Sequence, residues 1–330
     1  MLFGLISALF TACTSDPLTV DTSSITIKTN FVNLDSILVH SNPDDLIKNH
    51  HVLQTSIGEI YEYQLGYILK IGRISDTAFV RSIQQFKTDK GIKELEKEIG
   101  KKFNNLDKQK QGIMDGLKHL KYHFPKGKMP SSVVFMNSLI QSNAFCTENE
   151  IGIGLDRYLG AKNKFIKKLP GEPFHDWIKE AMNADFLERD ALCSWIMTHY
   201  MEEKEGNLAE NIIRWGKILY LTEASFPTAE KNIIIRYSKE DYTWALENEF
   251  KFWEYLVKEG FLYKTNELDQ ANMLNEAPFT IGLPDESPDR FGQFIGWRMV
   301  QMYMSKNDVT LEELIKTPYN EIMQEYEIED

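Results

Sequence analysis

Only three short stretches of this chain read as strand, and everything around them repeats its apolar residues at helical spacing. Two of the three are Ser132-Val133-Val134-Phe135-Met136 and Ile151-Gly152-Ile153-Gly154-Leu155, of strand length and rich in β-branched or apolar residues. The turn-rich text Pro125-Lys126-Gly127-Lys128-Met129-Pro130 sets them apart from what precedes, and they form a hairpin or a neighbouring pair. The third spans residues 25–34, where Ile25, Ile27 and Thr29 alternate with polar neighbours before Phe31, Val32 and Leu34. So little strand makes a small sheet that only helices can cover, which predicts an α+β, helix-rich fold.

The helices are signalled by their starts. Ser41-Asn42-Pro43-Asp44-Asp45 supplies a capping side chain, a proline suited to the first turn and two acids, ahead of Leu46, Leu53, Ile57, Ile60 and Leu65. Amphipathic patterns follow over residues 75–86, 90–99 and 106–123, with later starts near Pro173, Asp185, Asn207, Ser238, Ser287 and Val309. There is no internal repeat and no linker, so residues 25–330 read as a single large domain.

The N-terminus reads as a processing signal. Residues 1–12 are an uncharged apolar run of signal-peptide length, and Phe10-Thr11-Ala12-Cys13 resembles a lipobox, although Phe10 stands where leucine is usual and no Lys or Arg precedes the run. Cys13 is then the lipid-attachment residue and the first of the mature protein. Residues 13–24, polar and broken by Pro17, read as a flexible tether. The alternative is a buried N-terminal element with Cys13 in the core. Acyl chains on Cys13 would make the membrane a partner, since past residue 12 no apolar run approaches the roughly 18 to 20 residues of a spanning helix. An envelope setting would also permit a disulfide between Cys146 and Cys193. The net charge of −12, with cations scattered, leaves no basic face for nucleic acid.

The second half carries blocks in a recognisable order: Gly154-Leu155-Asp156-Arg157-Tyr158-Leu159-Gly160, Trp215-Gly216-Lys217-Ile218-Leu219-Tyr220, Trp244-Ala245-Leu246-Glu247-Asn248-Glu249 and Ala277-Pro278-Phe279-Thr280. The last and most specific runs Ser287-Pro288-Asp289-Arg290-Phe291-Gly292-Gln293-Phe294-Ile295-Gly296-Trp297-Arg298-Met299-Val300. Over residues 25–326 the chain resembles the gliding motility-associated lipoprotein B (GldB) family of Bacteroidetes. That resemblance implies an envelope lipoprotein working with other gliding or secretion machinery proteins; the sequence does not specify the membrane or leaflet, and the expected setting is the outer membrane facing the periplasm. Asp289 and Arg298 depart from the family pattern, so no role is carried onto them.

The family also looks distantly similar to zincin peptidases, which implies a degenerate zincin-like scaffold over residues 130–260. The zinc motif of that fold needs two histidines one turn apart with a glutamate beside the first. No histidine here is followed by Glu, and the text at the expected place reads Ala191-Leu192-Cys193-Ser194-Trp195-Ile196-Met197-Thr198-His199-Tyr200, with Arg214-Trp215-Gly216-Lys217 where a carboxylate ligand belongs. No catalytic residue, metal or cofactor is therefore assigned. His119 and His123 have chelating spacing but sit among lysines at a helix end. His50-His51 reads as a surface pair. Cys193 and His199 lie among apolar residues that suit a buried thiol. Gly152-Ile153-Gly154 lacks the third glycine and helix of a dinucleotide loop.

The candidate site is a polar group of Asp156, Asn248, Glu249, Arg290 and Trp297. As a buried network, Glu249 would accept from Arg290 or from backbone amides and lock helix 238–259 against helix 288–305. A binding groove and acid–base chemistry are the alternatives. The expected function is a noncatalytic, membrane-anchored gliding component. The competing readings are an envelope hydrolase of peptide or cell-wall glycan using Glu249, and a carbohydrate-binding module, which would expose its tryptophans.

Overall fold

A computed structural model describes residues 17–76, 78–202 and 205–328; the apolar run 1–12 and Cys13 lie outside them. The sheet has four strands, β1 (Asn30–Asn33), β2 (Ser132–Met136), β3 (Ala144–Cys146) and β4 (Glu150–Gly154), in the order β1-β2-β4-β3. The two apolar runs are neighbours, but parallel ones: Ser132 pairs with Glu150 and Met136 with Gly154. The antiparallel partner of β4 is the short edge strand β3, with Ala144 opposite Ile153. Parallel strands are normally covered on both faces, and every residue of β2 and β4 is buried.

Alternation along β2 divides the interior. Val134 and Met136 face a smaller core with α1 (Leu34–His40), α2 (Pro43–Tyr63) and α3 (Phe79–Thr88). Val133 and Phe135, with Ile151 and Ile153 of β4, face the main core. Gly152, between those isoleucines, makes room, since a Cβ there would lie 2.6 Å from the Phe145 ring. The Gly-Ile-Gly text is thus strand packing.

The first strand is shorter than its pattern predicts. Asn33 turns its side chain to accept from Ser36 N at 3.0 Å, capping α1, so Leu34 opens a helix instead of ending a strand. Of the stretch read as a tether, residues 17–24 are described, and Leu18 is buried in the main core.

Around the main core run α4 (Lys90–Lys102), α5 (Asp107–His123), α6 (Lys164–Lys167), α7 (Asp176–Glu180), α8 (Leu187–His199), α9 (Leu208–Ser225), α10 (Lys231–Ile235), α11 (Lys239–Glu247), α12 (Glu249–Lys258), α13 (Glu267–Leu274), α14 (Phe291–Lys306), α15 (Leu311–Leu314) and α16 (Tyr319–Gln324). Asn42, Asn207 and Ser238 cap their helices as the sequence predicts. The start expected at Ser287 is displaced. Ser287 closes a turn onto Pro284 O, and α14 opens only at Phe291, whose N–H donates to Thr280 Oγ1 at 3.1 Å. Helix 238–259 also divides, at Asn248, whose side chain donates back to Trp244 O.

Helices α9 and α14 cross through two glycines. A Cβ on Gly216 would lie 2.1 Å from Gly296 O, and one on Gly296 would lie 1.9 Å from Ile212 O. Both obstacles are backbone, so no side chain can rotate away.

The carboxyl ends of the parallel strands gather buried polar residues. Asp35 follows β1, Asn137 follows β2 and Asp156 follows β4. Asp35 and Glu96 of α4 line a cavity of about 500 Å³, and Asn137 Nδ2 donates to Glu96. Burial, then the Glu96 carboxylate, push Asp35 up to about 9, and burial also raises Glu96. The pair therefore holds a shared proton at neutral pH.

Gly296→Ala forces α14 off α9 and should cost roughly 1–3 kcal/mol, seen as a lower urea midpoint at unchanged slope; an unchanged midpoint would mean the helices are not in backbone contact. Because the fold binds a proton at Asp35 that the unfolded chain releases above about pH 4, stability should decline as pH rises from there toward 9. Asp35→Asn removes that contribution, so its urea midpoint should fall less between pH 5 and 9 than that of the parent. Equal slopes would count against the shared proton.

Candidate functional site

The five residues expected to form one polar group occupy three places. Trp297 and Glu249 belong to a chain of contacts between α9, α12 and α14. Trp297, fully buried, donates from Nε1 to Glu223 Oε2 at 2.7 Å. Gln301 donates to the same oxygen at 2.9 Å and accepts from Arg298 Nη1 at 3.0 Å. Arg298 Nε in turn reaches both oxygens of Glu249, at 3.1 and 3.0 Å, and Tyr326 Oη donates to Glu249 Oε1 at 2.9 Å. Asn248 stands beside this chain as the hinge between α11 and α12, its amide spent on Trp244 O.

Glu249 is thus paired, but its cation is Arg298 and not Arg290. Arg290 precedes the first turn of α14, while Arg298 lies two turns further on, level with α12. The residue set aside as a departure from the family pattern supplies the contact.

Asp156 serves the loop after β2. It accepts from Ser138 N at 2.7 Å, Ser138 Oγ at 3.0 Å and Ile140 N. Burial pushes its carboxyl up against these bonds. Leu139 and Ile140 both have positive φ, 52° and 61°, a cost that the Asp156 contacts offset.

Arg290 leads to a cluster that sequence reasoning missed. Its Nη2 lies 2.9 Å from Asp289 Oδ1 and its Nη1 lies 3.8 Å from Glu276 Oε1. Arg236 Nη1 meets the same Glu276 oxygen at 2.6 Å. Behind them Asp190 accepts from Arg189 Nη1 at 3.1 Å and from Tyr158 Oη at 2.9 Å, with Arg236 Nε 3.4 Å away but not aligned for a hydrogen bond. Arg157 completes the set, its Nε donating to Asn143 Oδ1 at 2.6 Å. Burial disfavours charge on Glu276, yet Arg236, Arg290, Arg157 and Arg189 together hold its carboxyl below the usual range.

Two features mark this cluster as more than structural ballast. Arg236 and Arg290 both take the left-handed conformation, φ 61° and 52°, which costs about 1–3 kcal/mol for a residue with a Cβ. Their side chains are only 8% and 10% exposed, and neither Nε has a hydrogen-bond partner. A cavity of about 290 Å³ opens on them, walled by Ala144, Cys193, Met197 and Trp215. A groove of about 830 Å³ also has Arg236, Glu276 and Arg290 in its wall, together with the acids Glu180, Asp185, Glu230, Asp241, Asp285, Glu286 and Asp289. The available signal was Arg189-Asp190, a charged pair set into the apolar face of α8 beside Ala191-Leu192.

The remaining candidates are engaged elsewhere. His119 Nδ1 lies 2.9 Å from Asp115 O, and burial followed by the His119 charge pushes His123 down to about 4. His50 packs against Tyr61. His199 lies tilted against the Trp195 ring, centroids 3.7 Å apart, and meets Thr147 O at 3.1 Å. Cys146 and Cys193 are free thiols on the facing elements β3 and α8, and burial pushes Cys146 up to about 12. None of the six tryptophans is exposed.

No curated protein and no solved structure matches the chain. The family model described as gliding motility protein GldB matches residues 15–327, nearly the full length, and takes in both the Trp297–Glu249 chain and the arginine cluster. The chain belongs to the family of the gliding motility protein GldB.

Proposed function

We propose that this chain is a lipoprotein component of the gliding machinery, anchored by acyl chains on Cys13 to the outer membrane on its periplasmic side, and that it acts by binding other gliding or secretion proteins, without catalysis. The observation that carries this reading is the family match over residues 15–327, a gliding motility family, which begins two residues past Cys13 of the lipobox-like Phe10-Thr11-Ala12-Cys13. Among the described residues no helix is long and apolar enough to cross a membrane, so attachment through Cys13 supplies what the body does not. The body itself, residues 25–330, acts as one unit in this reading.

The placement of Glu249 argues against the hydrolase reading. A general base needs a free lone pair within reach of the proton it takes, and Glu249 is 7% exposed with Arg298 and Tyr326 on its oxygens. The carbohydrate reading expects exposed tryptophan faces for sugar stacking, and the six tryptophans are all at least half-buried.

Cys13→Ala should abolish acylation by intact mass, release the protein from the membrane fraction and stop gliding in the native host. A soluble, unacylated parent protein would refute the anchor. Glu249→Gln, which leaves the Arg298 charge without its partner, should lower stability by roughly 1–3 kcal/mol in urea titration. Turnover of a peptide or cell-wall glycan that disappears in this folded variant would instead establish the hydrolase.

A further inference from the structure

Open parallel sheets take ligands in the crevice beyond the carboxyl ends of their strands. Here that place holds the cavity of about 500 Å³, enclosed by α1, α3 and α4, with Asn33 at the end of β1 and Leu155 just after β4 in its wall. Its charges are sorted by depth. Asp35 is only 8% exposed. Among the described residues no N–H donates to its carboxylate and no cation pairs with it; what it meets is the carboxyl of Glu96. Glu96 is half-buried and accepts from Asn137 Nδ2. The cations in the wall, Lys93 and Lys97 of α4 and His40 of α1, are exposed and so stand at the mouth. Lys87, half-buried, is spent on Ser41 O, but Lys93 and Lys97 have no ion-pair partner among the described residues. Between floor and mouth the wall is apolar, with Val39, Phe86, Ile92 and Phe103.

We infer that this cavity binds a small zwitterion, its ammonium group on the Asp35–Glu96 pair, its apolar stem against Phe86, Ile92 and Phe103, and its carboxylate at the mouth beside Lys93 and Lys97. An ammonium supplies what the floor lacks. Two carboxyls at close range without a cation keep one proton between them. Glu96 and Asp156 both oppose a negative charge on Asp35, and His40 favours one. An ammonium between the two carboxyls takes the place of the shared proton, which leaves to solvent. A ligand with one charge is mismatched at one end: a simple amine leaves the two lysines unanswered, and a simple carboxylate brings nothing to the acidic floor.

The straight-chain ω-amino acids of four, six and eight carbons bracket the separation of the two charges, and their amines stay protonated at neutral pH. Calorimetric titration of the full chain should show binding by at least one of them, with release of a proton read from the dependence of the heat on the ionisation enthalpy of the buffer. The ω-hydroxy acid of the same length should bind roughly tenfold more weakly, having no charge for the floor. The alkylamine should bind roughly three- to fivefold more weakly, as should the amino acid to the Lys93→Ala, Lys97→Ala double variant, since an exposed ion pair is lost in each case. Asp35→Asn, checked for folding by circular dichroism, should lose both the binding and the proton release. The site is overturned if none of the three amino acids binds at millimolar concentration, or if binding releases no proton. A hydroxy acid that binds as tightly would overturn the ammonium assignment, and an alkylamine that binds as tightly would overturn the role of the mouth.

Discussion

Everything in the second half of this molecule is referred to the backbone contact between α9 and α14. Where two glycines let helices approach within the reach of a missing Cβ, the helices lose the freedom to slide or rotate against each other. Trp297 follows Gly296 directly, and Glu223 lies seven residues beyond Gly216, so the Trp297–Glu223 bond reports the same register one or two turns along. From there the chain through Gln301 and Arg298 to Glu249 ties α12 to this pair, and Tyr326 ties down the C-terminal segment. At the other end of α14 the same register delivers Arg290 to the arginine cluster. A shift of α14 by a fraction of a turn would disturb both places together.

The arginine cluster and the Glu249 chain use similar residues to different ends. In the Glu249 chain Trp297, Gln301, Arg298 Nε and Tyr326 all donate to carboxylates, and both oxygens of Glu249 and of Glu223 accept, the condition under which a buried polar network rigidifies a core. In the cluster the accounting is open: two guanidinium nitrogens are buried without a hydrogen bond, the backbone beneath them is strained, and a partly exposed carboxylate supplies part of the neutralisation. Natural folds tolerate such departures mainly where something else is to be bound.

Local chemistry was legible in the sequence and distant chemistry was not. Asn42, Asn207 and Ser238 announce their helices because a cap acts within three residues. The strands β2 and β4 were visible from composition, yet their parallel pairing was not, since the strand that intervenes at the sheet edge, β3, is three residues long. The start of α14 was misplaced because its cap is Thr280, eleven residues upstream, while the nearby Ser287-Pro288 imitates a cap. At the site, Glu249 and Trp297 were recognisable as polar groups among aromatics, but whether Glu249 would meet Arg290 or Arg298 depends on how two helices align. The cluster drew its cations from residues 157, 189, 236 and 290, four separate segments with no pattern to join them.

The seat of Leu18 in the main core has a mechanical consequence. With Cys13 acylated, five peptide units at about 3.5 Å each separate the lipid from the first fixed point of the body, a leash of at most about 18 Å. A domain of this length has a radius of gyration near 20 Å by size scaling, roughly the same distance. On the proposed Cys13 anchor the body would ride against the bilayer, and a pull on either would be felt by the other with almost no slack.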